Sequence, residues 1–559
     1  MPIKKFTLFV VLVLLFAEIN FSNAQETIDN KKLSLKKLSE KISEADDADK
    51  IFLKLNSGKS KEFSSSSFSK ITRSNGFSLS KEFDNTTPGK NDFKSLSDVS
   101  TGLSKGKVDI SKYFPPDYKP WESEKHFWWG AGEGVLLNIF IPWAMARYGR
   151  TWDSTSEERW PFIGFQSIWN NLNNGWNYDG DNFLTNMFSH PFGGNLFYNS
   201  GRTNGMNFWE SSAFALGGSF IWETFMETNQ PAINDWVITG LGGTAFGEVL
   251  YRLSTLATDN TARGMKRVWT EFAGGIFNPA RFLTRLVNGE ISRVFPNPTW
   301  RTPKDLNLNL DAGTRVLIND STDIKELEGI FELNVEYGDP YRTQHSTPFS
   351  HFKYNVQIAS SSPNLTGMTV MGSLFAIELD ENENTNHTME TSLNYNYLNN
   401  PGFLYGNVAI TEQLNSQFKL NDHGWHVRSK LGVRLIPMGG TPDDYFLDST
   451  DGRNYDMGQG LGAVGKVSLF SEGWEVFTAQ YTMDYLWTQS EPSFSKHFLQ
   501  GGEFSFQLPV KEYFVIGFAG GYYKRKSYYH YPSGFFSYPT PDVSFQTPMI
   551  RVFFKTRLI

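Results

Sequence analysis

The sequence predicts an α+β membrane protein: an N-terminal helical domain followed by an antiparallel transmembrane β-barrel of about 12 strands. Two observations point there. Past about residue 310 the apolar period changes from near 3.6 to 2. Aromatic residues make up 16% of the 559-residue chain while its mean hydropathy is only -0.39. That pairing suits strands with one greasy face and one polar face.

The N-terminus carries the export signal. Lys4 and Lys5 precede an apolar run from Phe6 to Ala17, and Ser22-Asn23-Ala24 closes it with small residues. This is the layout of a signal peptide over residues 1–24. The alternative, an uncleaved anchor, needs about 20 apolar residues, and the run is shorter than that. Residues 25–112 hold no Tyr or Trp and are rich in Ser, Lys, Asp and Asn. Such a stretch buries too little apolar surface to offset backbone ordering, so it reads as a disordered linker. Leu33 to Leu55 has loosely helical spacing and offers an arm for a periplasmic partner.

Residues 113–300 read as the helical domain. Tyr113-Phe114-Pro115-Pro116 opens it, and helices are expected at 125–147, 157–169, 180–189, 206–228, 231–256 and 262–287. Its longest uncharged stretches, Gly134 to Ala146, Ser211 to Trp222 and Trp236 to Gly247, fall short of a membrane span. They are expected to be buried helices.

Residues 301–559 read as the barrel. Phe331, Leu333, Val335 and Tyr337 alternate with Glu332, Asn334 and Glu336, and Phe477 to Trp487 alternates likewise. Charges on the second face are too frequent for a dry sandwich, so hydrocarbon outside and a wet lumen are expected. Strands are expected at 327–337, 351–360, 368–380, 386–398, 402–410, 414–421, 424–436, 455–470, 473–487, 497–509, 512–525 and 543–558. Asn399 to Gly402, Asn421 to Gly424, Ser471 to Gly473 and Val510-Lys511 read as tight turns on one rim. The stretches 338–350, 437–454, 488–496 and 526–542 read as long loops on the other. The last strand, Met549 to Ile559, resembles the insertion signal of bacterial barrels but lacks a terminal aromatic. Outer-membrane lipid and the barrel-assembly machinery are the partners this predicts.

The chemistry, if there is any, falls between Asn186 and Ser254. Its ionisable residues are His190, Arg202, Glu210, Glu223, Glu227, Asp235, Glu248 and Arg252. Glu223 and Glu227 are spaced to share a helix face, as are Glu248 and Arg252. Gly217-Gly218 and Gly242-Gly243 sit near helix centres, where close helix approach is the usual compensation. Helices meeting there are expected to bring Glu223 and Glu248 together, with Arg202 or Arg252 as counter-ion. His190, Glu210, Glu223 and Glu248 are the weak catalytic candidates; Arg202, Glu227, Asp235 and Arg252 read as buried ion-pair residues. Ser189, Ser200 and Ser211 lie in no G-x-S-x-G elbow. A metal site would have to come from His190 plus two carboxylates, but no H-x-x-x-H or H-E-x-x-H spacing supports it, so no metal and no cofactor are expected.

The pieces SHPFGGNLFYNSGRTNG, FWESSAF, GSFIWETFME, INDWVITGLGG and FGEVLYRLS resemble the signature of an uncharacterised bacterial outer-membrane family carrying domain of unknown function 3943. The resemblance covers roughly residues 124–256 and implies a Gram-negative envelope location. It implies no activity.

Net charge is -7, which argues against nucleic-acid binding. With no cysteine in the chain, disulfides and thiolate chemistry are excluded. The function expected is an outer-membrane barrel whose periplasm-side helical domain gates, plugs or feeds the lumen. The alternative is an envelope lipid- or glycan-modifying enzyme using His190 and the buried carboxylates. The absence of a recognised catalytic motif leans away from an enzyme.

Overall fold

The computed structural model describes residues 118–149, 160–303, 305–319, 324–341, 347–447 and 452–558. The expected signal peptide and linker lie outside the described residues.

The helical part runs α1 (Phe127–Glu133), a π-helical stretch Gly134–Phe140, α2 (Ile141–Gly149), α3 (Phe165–Asn173), a π turn Thr185–Ser189 and α4 (His190–Arg202). It continues through α5 (Phe208–Ile221), a π turn Trp222–Met226, α6 (Ile233–Val237), a π turn Ile238–Gly242 and α7 (Gly243–Ala257). It ends with α8 (Gly264–Phe277) and α9 (Pro279–Val287). Local chemistry sets the starts. Asn207 caps α5, accepting from the Glu210 N–H at 3.0 Å, while Glu210 accepts from the Asn207 N–H at 3.0 Å. Pro279 opens α9 behind Asn278, whose side chain accepts from the Arg281 N–H at 2.9 Å.

One local expectation fails. The expected helices at 180–189 and 206–228 leave His190-Pro191 between them as loop, but the dipeptide begins α4, continuous with the π turn before it. Pro191 is therefore an interior proline: its missing N–H leaves the Met187 carbonyl without a helical donor, and the Tyr395 hydroxyl donates to that carbonyl instead.

The barrel has twelve strands: β1 (Leu306–Asn319), β2 (Ile324–Tyr337), β3 (Phe352–Ala359), β4 (Leu365–Glu381), β5 (Thr385–Asn400) and β6 (Phe403–Lys419). The second half is β7 (His426–Pro442), β8 (Tyr455–Ser471), β9 (Trp474–Thr488), β10 (Lys496–Lys511), β11 (Phe514–Tyr528) and β12 (Val543–Arg557). Every neighbour pair is antiparallel, and β1 pairs with β12 to close the sheet. The expected number is right for offsetting reasons. The expected strands begin only at 327, which leaves out β1, and 402–410 and 414–421 are one strand, β6. A register shift between Val408 and Ile410 and the polar run Thr411-Glu412-Gln413 imitate a turn, but Thr411 and Gln413 line the lumen.

The rim assignment also changes. Turns 420–425, 472–473 and 512–513 share the end where the barrel begins and finishes, but so does the longer stretch 338–351. Turn 401–402 joins the long loops 443–454, 489–495 and 529–542 at the opposite end.

Alternation sorts each strand into two faces. Asp311, Glu332, Lys353, Arg434, Lys466 and Arg551 face the lumen around a cavity of about 640 Å³. Ion pairs knit them: Lys353–Glu336 at 2.8 Å, Lys466–Glu475 at 2.9 Å and Arg434–Asp484 at 2.8 Å. The outward face of β9–β12 is bare, with Met483, Phe506, Phe518 and Val552 exposed. Over β2–β8 much of that outward face is covered by the helices.

A domain that gates, plugs or feeds the lumen is expected at the barrel mouth or inside it; the helices pack on the outward wall instead. Outward-facing Val335, Tyr354, Val370, Tyr395, Val408, Met438 and Met457 form one apolar core with Met187, Phe208, Ile238, Phe246 and Val249 of the helical part. Trp209 of α5 stacks on Phe375 of β4 with ring centroids 5.6 Å apart. The contact runs diagonally. It starts at the chain-end rim, where Arg252 donates to the Pro348 carbonyl at 2.8 Å. It reaches the long-loop rim, where Asp181 bridges to Gly452. Wall residues that read as lipid-facing are apolar because half the wall faces helices.

Met187 shows why this seam is close. A side chain at Gly406 of β6 would meet the Met187 Cγ at 2.8 Å, and one at Gly440 of β7 would meet its Cε at 2.5 Å. Glycine at both positions opens the groove in which Met187 lies. The Tyr395 hydroxyl then donates to the Met187 carbonyl.

Candidate functional site

The block between Asn186 and Ser254 separates into two buried clusters. The first centres on Glu248 of α7, whose side chain is fully buried. Arg202 of α4 and Arg252 of α7 each reach it at 2.9 Å, and the Tyr198 hydroxyl donates to it at 2.6 Å. Every strong partner of this carboxylate is a donor, and the three come from two helices held close by glycine. A Cβ on Gly243 would stand 2.4 Å from the Gly194 Cα. Such a site locks helix register.

Glu223 does not join Glu248. It belongs to a second cluster at the long-loop end of the helical part, together with His190, Asp235 and Glu227. The π turns flank these residues: Thr185–Ser189 precedes His190, Trp222–Met226 contains Glu223, and Ile238–Gly242 follows α6, which carries Asp235. A π turn inserts a residue and re-aims the side chains around it. Two further acids come from the chain before the block, Asp179 and Asp181, which sequence reading left out.

The geometry is tight. His190 Nε2 lies 3.3 Å from Asp235 Oδ1 and 4.0 Å from Asp181 Oδ2. Ligand-type atoms of Asp179, His190 and Asp235 all fall within 4.8 Å of one another. His190 Nε2 is buried and has no hydrogen-bond partner. Two amides set the carboxylates: Asn186 and Asn234 donate to Asp179 Oδ1 at 2.7 and 2.8 Å, and Asn234 also donates to Asp235 Oδ1 at 2.7 Å. Glu223 accepts from the Ala232 N–H at 3.0 Å.

Charge is not balanced here. Among the described residues, Asp179, Glu223, Glu227 and Asp235 have no ion pair with Lys or Arg; Arg453 of the β7–β8 loop donates to the Asp179 backbone carbonyl at 2.9 Å instead. Burial pushes the Glu223 carboxyl well above the ordinary range, and Glu227 and Asp179 push it further. Burial raises Asp235 well above its ordinary value too, with Asp179 and Glu223 adding to the shift.

The remaining candidates fall elsewhere. Glu210 is an exposed helix cap that also meets Lys125 at 2.5 Å, so it is no partner for His190. Ser200 and Ser211 donate back to the helix carbonyls of Leu196 and Asn207, the bonding of packed helical serines. The signal that finds Asp179 and Asp181 is the spacing D-x-D just before an amide-rich helix start, visible only once α4 is known to begin at His190.

Away from this cluster, apolar side chains meet inside the barrel. Phe403 of β6 stacks on Tyr523 of β11 with ring centroids 5.1 Å apart. Tyr405, Ala409, Ile436, Leu486 and Leu499 surround them as an apolar layer. At the long-loop end the Thr547 hydroxyl of β12 donates to the Gly402 carbonyl of the β5–β6 turn at 2.9 Å.

Residues 175–280 match a family described as a domain of unknown function, DUF3943. The match begins later and ends later than the stretch expected from sequence, and contains both clusters apart from the loop residues of the barrel. No curated protein matches the chain. Among solved structures, the NanC porin is similar at 10% identity and TM-score 0.23, covering 44% of this chain and 98% of its own. The KdgM porin follows at 11% and 0.20, with 44% and 98% covered. OmpT, an outer-membrane protein of Vibrio cholerae, stands at 6% and 0.20, with 45% and 97% covered. These likenesses fall on the barrel type alone and say nothing of activity.

Proposed function

We propose that this is an outer-membrane protein that works at the lipid-facing flank of its barrel rather than through its lumen. The barrel is the anchor and the scaffold. The DUF3943 part, laid along the outward wall, is the working part. One observation carries this reading: the helical core is shared with outward-facing wall residues, while Phe403 and Tyr523 meet across the lumen. A gate or plug needs contact with the lumen, and the helices make theirs with the other face.

In this reading the end bearing both barrel termini faces the periplasm, as in bacterial barrels generally. The His190–Asp235 cluster then stands at the outer-leaflet level, beside the β7–β8 loop. Outer-membrane lipid is the partner the flank meets, and the barrel-assembly machinery inserts the chain. The cluster also favours the second reading, a lipid- or glycan-modifying enzyme using His190 with Asp235, Asp179 and Glu223.

The test is electrical. Full-length protein reconstituted in planar bilayers is expected to show no steady conductance. A stable open channel of the unmodified protein overturns the sealed-anchor reading.

A further inference from the structure

We propose that Asp179, His190 and Asp235 form a binding site for one divalent transition-metal cation of the Zn²⁺ or Mn²⁺ class. The inference does not depend on whether the lumen conducts.

Three independent features of the cluster converge on a cation. The first is spacing. Nitrogen and oxygen ligands about 2.1 Å from a metal ion stand roughly 3–3.5 Å from each other. The 3.3 Å between His190 Nε2 and Asp235 Oδ1 fits that, and the Asp179 carboxylate completes a group no wider than 4.8 Å. The second is the imidazole. Nε2 is buried without a hydrogen bond although a carboxylate oxygen stands within reach. A protonated Nε2 would be expected to turn toward that oxygen; a lone pair pointed at a shared cation has no such need. The third is support. Metal-binding carboxylates are held by hydrogen bonds from behind. Asn186 and Asn234, both fully buried, donate to Asp179, and Asn234 donates to Asp235 as well. The Asp235 oxygen that Asn234 holds is the one facing His190, and Asp179 Oδ2 also accepts from the Asp181 N–H at 3.3 Å; a carboxylate oxygen has lone pairs enough for a donor behind it and an ion in front.

Electrostatics say why an ion is wanted. Removing carboxylates from water is costly unless opposite charge compensates. Glu223 lies beside Asp179, Asp181 and Asp235 within the same field, and no Lys or Arg side chain among the described residues pairs with Asp179, Glu223 or Asp235. One divalent ion supplies the missing charge. The imidazole selects the class: oxygen-only ligand sets suit Ca²⁺ and Mg²⁺, whereas imidazole with carboxylates suits Zn²⁺ and the other first-row ions.

The test uses the full-length protein in detergent, stripped with a chelator and dialysed against Zn²⁺ or Mn²⁺. About one ion per chain is expected by elemental analysis. Asp179→Asn and His190→Ala are each expected to weaken binding at least tenfold, while Glu210→Gln binds as the parent does. Heat-modifiable gel migration reports whether each variant keeps its barrel. Should the variants not fold, the unmodified protein decides alone: bound Mn²⁺ is expected to show nitrogen hyperfine coupling from an imidazole. Failure to retain an ion, equal retention by Asp179→Asn and His190→Ala, or bound Mn²⁺ without nitrogen coupling each overturns the assignment. Conductance measurements move with none of these outcomes, so this site and the sealed-anchor reading stand or fall separately.

Discussion

Phe403 of β6 and Tyr523 of β11 lie face to face across the barrel, their ring planes 16° apart. The two strands are not neighbours in the sheet, so this stack spans the lumen rather than following the wall. Removing both rings by Phe403→Ala and Tyr523→Ala is expected to open a path that the parent protein lacks. Liposome swelling with small sugars should be several-fold faster for the double variant. Large-to-small changes of this kind cost about 3–5 kcal/mol each in a packed core, so folding is checked first by heat-modifiable migration. Unchanged swelling by a folded double variant would place the barrier elsewhere in the lumen.

Glu248 makes a sharper stability prediction. Glu248→Gln keeps the size of the side chain but leaves Arg202 and Arg252 without the fully buried carboxylate they share. Breaking a buried pair on one side costs about 3–5 kcal/mol. The loss is expected in α4 and α7, read as faster amide hydrogen exchange there, with β9–β12 unaffected. Exchange unchanged in α4 would mean that glycine packing, and not the ion pairs, holds the helices in register.

The glycine pairs separate two roles that look alike in sequence. Gly217 in α5 has open space where a Cβ would go, whereas a Cβ on Gly218 would stand 2.4 Å from the Phe197 ring. Gly217→Ala is therefore expected to raise stability by up to about 1 kcal/mol through helix propensity. Gly218→Ala and Gly243→Ala are expected to destabilise, because a ring and a backbone must move. Thermal midpoints in detergent check the ordering, and a stabilising Gly243→Ala would contradict the close approach to Gly194.

Much of this architecture is legible in the chain because a strand's period is local. Phe331 to Tyr337 announces its two faces with no knowledge of neighbours. What covers a face is not local. Val335, Tyr395 and Met457 carry the same apolar signature as Phe506 and Val552, yet the first three meet helices and the last two are bare. The site divides similarly. Glu248 and Arg252 are visible as a pair because one helix turn separates them. Asp179 reaches His190 only after a π turn and the start of α4 bring the chain back, and no spacing rule encodes that return.

The bare and covered halves of the wall make the last prediction. α8 carries Met265, Val268, Trp269 and Phe272 exposed along one stripe, at the spacing of one helix face. A monomer in water rarely shows so continuous an apolar surface, and the stripe repeats the character of the barrel's exposed aromatic face at Phe504 and Phe506. Both are expected to meet hydrocarbon. The chain has no cysteine, so a single introduced one is a unique labelling site. Spin labels at Val268→Cys and at Phe506→Cys should show the same high accessibility to oxygen and low accessibility to a water-soluble nickel chelate in reconstituted vesicles. High nickel accessibility at position 268 with low accessibility at 506 would put α8 in water, and the flank reading of the helical part would fail with it.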